Sequence, residues 1–279
     1  MTTSTMIDGD VGPIAVHDLG GQGDVTLIVA HATGFLGQVY AAFARELANQ
    51  ARVVALDFRA HGDSATPDDY EQFSWHRMAD DLQAVIDYLG APTLHAFGHS
   101  MGGAAVLEVE RRSPGTFRSA LLFEPIVPPG PFSDTGESPL SKAALGRTRT
   151  FASRGEALQR YASRPPLGLF RADVLNDYVR HGFVETDEGI TLKCRPESEA
   201  ATFTNAGELS LEMLPEIELG VVVARSGDGG WPAQIASTVA TELPNGRLRD
   251  FPTLTHFGPL QDPVSVALAM VEALADHPS

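Results

Sequence analysis

Leu94-His95-Ala96-Phe97-Gly98-His99-Ser100-Met101-Gly102-Gly103-Ala104-Ala105-Val106-Leu107 runs from a short apolar segment through a small-residue turn into helical spacing. Leu94 to Gly98 reads as a strand and Ala104 to Arg112 as a helix, with G-x-S-x-G at Gly98, Ser100 and Gly102 between them. The chemical logic of that spacing is steric. A serine at the apex of a sharp strand-to-helix turn takes strained backbone angles, and glycines two residues to either side let strand and helix approach closely. Its hydroxyl then stands free at the carboxyl edge of a sheet. The bare motif also arises in Gly-rich loops, so its place between a strand and a helix is what singles out Ser100 as a nucleophile.

Outward from this turn, strands and helices alternate. Val25 to Ala30 and Val53 to Leu56 are continuous apolar, β-branched runs expected of buried parallel strands. The Ala-rich segment from Val39 to Asn49 carries Phe43 and Leu47 on one helical face; Met78, Leu82, Val85, Ile86 and Leu89 mark a second helix that Gly90-Ala91-Pro92 stops. Ala120 to Phe123 reads as a further strand. The alternation resumes with Gly220 to Ala224 as strand, Ala233 to Leu243 as helix, Arg247 to Phe251 as strand and Val264 to Ala275 as the last helix. We therefore expect an α/β fold: a mostly parallel sheet of the eight-stranded type with helices on both faces. Residues 126–213 break the pattern with Pro, Gly, Ser and charge, and read as an inserted helical cap on a core formed by 1–125 and 214–279.

Composition limits what such a fold does. Hydrophobic residues at 43% suffice for a buried core, and 20 Lys plus Arg against 36 Asp plus Glu give a net charge of −16 that repels nucleic acid and anionic membrane surfaces. A lone cysteine, Cys194, excludes an internal disulfide framework; its setting in TLKCRPE lacks the turn a nucleophile needs, so it reads as a structural thiol. The start MTTSTMIDGD has no secretory pattern and no window is apolar enough to span a membrane, so a cytoplasmic location is expected. The glycine-rich stretches lack the lysine or the spacing of phosphate-binding loops, and no metal-binding spacing occurs.

Ser100 needs a base, because a serine at its ordinary pKa is a poor nucleophile. His256, in LTHFGPL between the last strand and the last helix, is placed for that role; His17, His95 and His181 read as structural or surface residues and His99 as packing beside the turn. Two carboxylates compete to orient His256. Asp228 follows the GVVVA strand and precedes the histidine by 28 residues, room for one helix and one strand; Glu124 ends the strand before it in LLFEPI. We place Asp228 ahead of Glu124.

The segments VALDFRAHGDSATP, GHSMGG, VVVARSGDGGWP and THFGPL together resemble the successive motifs of the α/β-hydrolase superfamily across nearly the whole chain outside the insertion. The superfamily's D-x-R-G-x-G-x-S loop is matched by Asp57, Arg59, Gly62 and Ser64, with Ala60 in place of its first glycine, and is structural, which also accounts for His61. The resemblance implies an oxyanion hole from the backbone N–H groups of Met101 and Thr33. Here the oxyanion loop reads His31-Ala32-Thr33-Gly34-Phe35, departing from the usual His-Gly at Ala32. A glutamate at the position of Glu124 resembles the acid of some lactone hydrolases and haloalkane dehalogenases.

The expected chemistry is acyl transfer from a small ester or lactone to Ser100 and then to water, without a cofactor. A lactonase, C–C bond hydrolase or perhydrolase would use the same groups, and a non-turnover ligand receptor on this fold is the reading from another class. Serine at position 100 speaks against epoxide hydrolases and dehalogenases, which use aspartate. Phe35, Phe132, Phe170, Tyr178, Phe183 and Trp231 are candidates for an apolar pocket. The sequence leaves a homo-oligomer open.

Overall fold

The computed structural model describes residues 3–130, 138–205 and 207–276. The chain opens with β1 (Thr3–Gly9), β2 (Gly12–Gly20), β3 (Thr26–Ala30), α1 (Ala41–Glu46), β4 (Arg52–Leu56), α2 (Trp75–Leu89), β5 (Leu94–His99), α3 (Met101–Arg112) and β6 (Ala120–Phe123). An insertion follows, with α4 (Pro139–Leu145), β7 (Thr150–Phe151), α5 (Arg154–Ala162), α6 (Ala172–His181), β8 (Phe183–Thr186), β9 (Gly189–Leu192) and α7 (Pro196–Thr204). It closes with β10 (Val221–Ser226), α8 (Trp231–Glu242), β11 (Gly246–Phe251), α9 (Gly258–Gln261) and α10 (Pro263–Ala275).

The main sheet has eight strands in the order β1-β2-β4-β3-β5-β6-β10-β11. From β4 to β11 all pairs are parallel, and β1 and β2 add an antiparallel hairpin at one edge. Alternate side chains of a strand point to opposite faces, so each parallel strand feeds two cores. Leu27, Val29, Phe97 and Leu121 pack with Phe43 of α1 and Met270 of α10. Ile28, Val54, Ala96 and Leu122 pack with Leu82 of α2, Leu107 of α3 and Ile235 of α8. The α/β architecture expected from the sequence is the one observed.

Two parts differ from expectation. The β1–β2 hairpin carried no readable signal because β1 is exposed along most of its length and shows no alternation of apolar and polar residues. The insertion is not purely helical, since β7, β9 and β8 form a three-stranded antiparallel sheet. Strands of two and four residues are too short to display a period of two. Among the described residues, no helix is long and apolar enough to cross a membrane.

The Asp57–Ser64 loop ties the sheet together. Arg59, 1% exposed, grips Asp81 of α2 with Nε at 3.0 Å and Nη2 at 2.6 Å, and Nη2 also reaches Asp10 in the β1–β2 turn. One guanidinium thus joins the hairpin, the loop after β4 and α2.

The contact between β5 and α3 is what positions Ser100. A Cβ on Gly98 would lie 2.6 Å from the Cα of Gly103, and one on Gly102 would lie 2.1 Å from the carbonyl oxygen of Ala30. Gly102→Ala is therefore expected to destabilise the protein by about 2–3 kcal/mol through forced separation of α3 from β3. Gly155→Ala in α5, where among the described residues an added Cβ meets only the Ser153 hydroxyl at 3.7 Å, is the matched control. Chemical denaturation of both variants checks this; equal stability of the two would show that the close approach is not needed.

Candidate active site

Ser100 sits between β5 and α3 with φ 56° and ψ −117°. Such angles are strained for a residue with a side chain, and neighbouring bonds fix them. Ser100 N–H donates to the carbonyl of Phe123 at 3.0 Å, and Gly103 N–H donates to the carbonyl of Ser100 at 3.0 Å. The turn is therefore bonded directly to the end of β6, the residue before Glu124.

Glu124 is fully buried and itself holds a positive φ of 44°. Its Oε2 accepts a hydrogen bond from His256 Nδ1 at 2.7 Å, and its Oε1 accepts one from Ser226 N–H at 2.8 Å. Asp228 does not make the ring contact expected of it. It is exposed, its Oδ2 accepts from the backbone N–H of His256 at 3.2 Å, and its Oδ1 accepts from Ser226 Oγ and Gly230 N–H at 3.0 Å each. The sequence ranked Asp228 ahead of Glu124, whereas the ring contact is made by Glu124. The physical reason is register: β6 and β10 are neighbours with Phe123 opposite Ala224, so Glu124 leaves the sheet at the ring while Asp228, beyond the strand end, meets the Ser226 hydroxyl and the backbone N–H groups of Gly230 and His256. Burial pushes the Asp228 carboxyl up, but the hydrogen bonds from Gly230, Ser226 and His256 N–H outweigh it and hold it below its ordinary value.

With Nδ1–H donated to Glu124, the neutral His256 ring carries its free lone pair on Nε2, the atom a general base uses. On the other side of the turn, Thr33 Oγ1–H donates to Met101 Sδ at 3.2 Å, which brings the two residues expected of the oxyanion hole side by side. The amide of Met101 opens α3, where first-turn N–H groups lack intrahelical acceptors and the helix dipole favours negative charge.

The loop carrying Thr33 is held by two imidazoles: His31, which opens it, and His61, which the sequence reading explained by its turn motif. His31 Nδ1 donates to the carbonyl of Ala32 at 2.8 Å, and His31 Nε2 accepts from Phe58 N–H at 3.0 Å. His61 Nε2 accepts from Gly34 N–H at 3.0 Å, and Asp57 Oδ1 accepts from Gly37 N–H at 2.7 Å. Gly34 has φ 80°, and a Cβ there would lie 2.5 Å from Oε1 of Glu199 in α7. Glu199 is ion-paired to Arg147, whose guanidinium also donates to the Tyr178 hydroxyl, so a buried polar cluster of the insertion rests on the oxyanion loop.

Of the aromatic candidates, Phe35 packs against Phe170 and Tyr178 at ring distances of 5.7 and 5.5 Å, and against Phe257 at 5.9 Å. Phe183 lies in the core of the insertion, Trp231 is 46% exposed at the start of α8, and Phe132 falls outside the described residues. Cys194 is buried, and burial pushes its thiol up, as suits a structural residue. A large surface cavity, lined by Pro92, Phe117, Leu219 and Arg247 among others, lies at the amino ends of the strands, away from these residues. The Glu124–His256 contact and the Ser100–Phe123 hydrogen bond lie at the opposite, carboxyl edge of the sheet.

An eight-stranded, mostly parallel sheet with a serine on a strained strand-to-helix turn and a histidine after the last strand defines the α/β-hydrolase fold. The chain belongs to the alpha/beta hydrolase family, whose model matches residues 27–269. It is 26% identical over 261 residues to the "Putative carbamate hydrolase RutD" of Pseudomonas syringae, covering 91% of this chain and 95% of that protein. A 106-residue stretch is 33% identical to the "Dihydrolipoyllysine-residue acetyltransferase component of acetoin cleaving system" of Pseudomonas putida, but spans only 28% of that relative's length. Among solved structures, "E-2-(Acetamidomethylene)succinate Hydrolase" superposes with a TM-score of 0.81 at 18% identity, covering 99% of this chain and 100% of that one. An esterase from Thermogutta terrifontis gives 0.72 at 20% identity, covering 99% and 100%. At those identities the likeness establishes the fold alone.

The buried imidazoles set an acid limit on stability. Burial, reinforced by His61, lowers His31 to about 3; burial likewise lowers His61 and holds His99 well below the ordinary histidine value. Folded, these rings stay neutral, whereas the unfolded chain takes up protons below about pH 6.5. The stability they contribute is therefore complete above that pH and lost as pH falls; for His31, lowered to about 3, the loss is about 1.4 kcal/mol between pH 7.5 and 5.5. Urea unfolding at the two pH values should show this loss. Unchanged unfolding free energy would mean that the rings are charged in the folded state.

Proposed function

We propose that this chain is a serine hydrolase that cleaves carboxylic ester or ester-like bonds through an acyl-enzyme on Ser100. The observation that carries the reading is the 2.7 Å contact between His256 Nδ1 and the buried Glu124 carboxylate, next to a serine held at positive φ. His256 removes the Ser100 proton through Nε2 as the hydroxyl oxygen attacks the substrate carbonyl. Glu124 fixes the ring tautomer and stabilises the imidazolium that forms. The N–H groups of Met101 and Thr33 receive the oxyanion. The imidazolium then returns its proton to the leaving alcohol, and a water activated by the same ring releases the acid. Residues 126–213 serve as the cap, with Phe35, Phe170, Tyr178 and Phe257 as the apolar wall nearest the oxyanion loop. Similarity along nearly the full length to a protein named for carbamate hydrolysis supports including carbamates among the substrates tested.

A panel of p-nitrophenyl esters of graded chain length, with lactones and carbamates, defines the bond cleaved. A fluorophosphonate is expected to label the parent at Ser100 and to leave Ser100→Ala unlabelled. A parent that neither labels nor turns over any of these substrates would favour the receptor reading instead.

The two carboxylates are separable by the same assay. Glu124→Gln is expected to lower kcat by roughly 10⁴, as when the acid of such a triad loses its charge. Asp228→Asn, which touches only the backbone of His256, should cost no more than about tenfold. Steady-state kinetics on folded variants checks the order. The reverse order would return the orienting role to Asp228.

A further inference from the structure

His256 is held at three points by three different residues. Glu124 takes its ring, Asp228 its N–H, and His99 its carbonyl: His99 Nε2 lies 2.7 Å from the His256 oxygen. His99 is the last residue of β5, fully buried and adjacent to Ser100. A carbonyl oxygen only accepts, so Nε2 of His99 carries the proton. In a neutral ring Nδ1 is then an acceptor, and the Tyr40 hydroxyl stands 2.8 Å from it. Tyr40, 1% exposed, therefore donates to His99, and its oxygen accepts a longer 3.4 Å bond from the N–H of Ala32. Donors and acceptors alternate without conflict along the whole chain: Ala32 N–H to Tyr40 Oη, Tyr40 O–H to His99 Nδ1, His99 Nε2–H to the His256 carbonyl.

Resting on the serine-hydrolase reading, we propose that His99, clamped by Tyr40, is a positioning residue that holds the His256 loop in register with the Ser100 turn and the oxyanion loop. Packing alone does not explain this side chain. A position buried against Phe123 and Tyr40, with ring centroids at 5.8 and 6.2 Å, would be filled at lower desolvation cost by an apolar residue. The imidazole is instead used at both nitrogens, and both ends of its chain lie on loops that carry the proposed chemistry. Burial keeps the ring neutral, as the chain requires, since a doubly protonated His99 would leave the Tyr40 O–H without its acceptor.

The test uses the full-length protein with three variants. His99→Phe keeps an aromatic ring but removes both nitrogens, and should lower kcat by about 10² with KM within roughly threefold of the parent, as expected for a misplaced base. His99→Gln places an amide N–H near the former Nε2 and should recover activity to within about tenfold of the parent. Tyr40→Phe should lose roughly tenfold in kcat and slow fluorophosphonate labelling of Ser100 in proportion. Equal losses in His99→Phe and His99→Gln, or losses in KM rather than kcat, would overturn the proposal. A readout independent of turnover is the ¹⁵N spectrum of histidine-labelled parent near pH 7. There His99 should be the Nε2–H tautomer, with an Nδ1 signal that moves in Tyr40→Phe; an Nδ1–H tautomer would also overturn it. If the parent itself is not labelled at Ser100, the serine-hydrolase reading fails; a labelled parent with indifferent variants fails the positioning proposal alone.

Discussion

The absence of a side chain at Gly102, where α3 meets the end of β3, is the constraint from which the site follows. Gly102 lets the first turn of α3 rest on the Ala30 carbonyl, and Gly98 lets the strand end rest on Gly103. The start of α3 is thereby held at the carboxyl edge of the sheet, with Met101 against the Thr33 side chain and Ser100 bonded to Phe123. The groups that the proposed mechanism brings to Ser100 leave the same edge: the loop of Thr33 after β3, Glu124 after β6, and His256 after β11. A parallel sheet presents all of its strand ends together, and one close helix contact decides which point along that edge becomes reactive.

Backbone strain marks the same place. Among the described residues, Ala60, Ser100 and Glu124 are the non-glycine positions with positive φ. Ser100 and Glu124 are both over-determined by hydrogen bonds to neighbouring strands: Ser100 N–H to Phe123, Glu124 N–H to Ala224 at 2.9 Å, and Ser226 N–H to the Glu124 carboxylate. Strain of order 1–3 kcal/mol persists only where surrounding bonds enforce it. Ala60 occupies the position where a glycine would meet the same requirement without strain, so its cost is borne by the Arg59–Asp81 anchor beside it.

What the sequence made legible, and what it hid, divides along this line. Continuous apolar runs such as Thr26–Ala30 announce a strand buried on both faces, and Gly98-His99-Ser100-Met101-Gly102 announces the turn, because both rest on local chain stereochemistry. The place of His256 after the last strand was legible from the sequence. Which of Glu124 and Asp228 meets the His256 ring was not, because each follows a core strand and the contact depends on the pairing of β6 with β10, strands far apart in the chain. A signal was nevertheless present in LLFEPI: an acid closing an apolar run, with no basic residue in the segment to pair with it. His31, His61 and His99 were hidden for a different reason. A histidine used at both nitrogens inside a core has the same local sequence as one that merely fills space.

Two carboxylates beside one histidine divide its restraint according to what each environment permits. Glu124, at 0% exposure, meets the ring where the surrounding dielectric is low, so its charge would bear strongly on the imidazolium of the proposed mechanism. Asp228 is exposed to water that screens it, and a screened carboxylate still serves well as a fixed acceptor for a backbone N–H. Electrostatic stabilisation requires burial; tethering a loop does not. The exposed aspartate and the buried glutamate are for that reason not interchangeable, although both lie within hydrogen-bond reach of the same residue. Because Ser226 donates to both, through its N–H to Glu124 and its Oγ to Asp228, a displacement at the end of β10 would disturb ring and loop together.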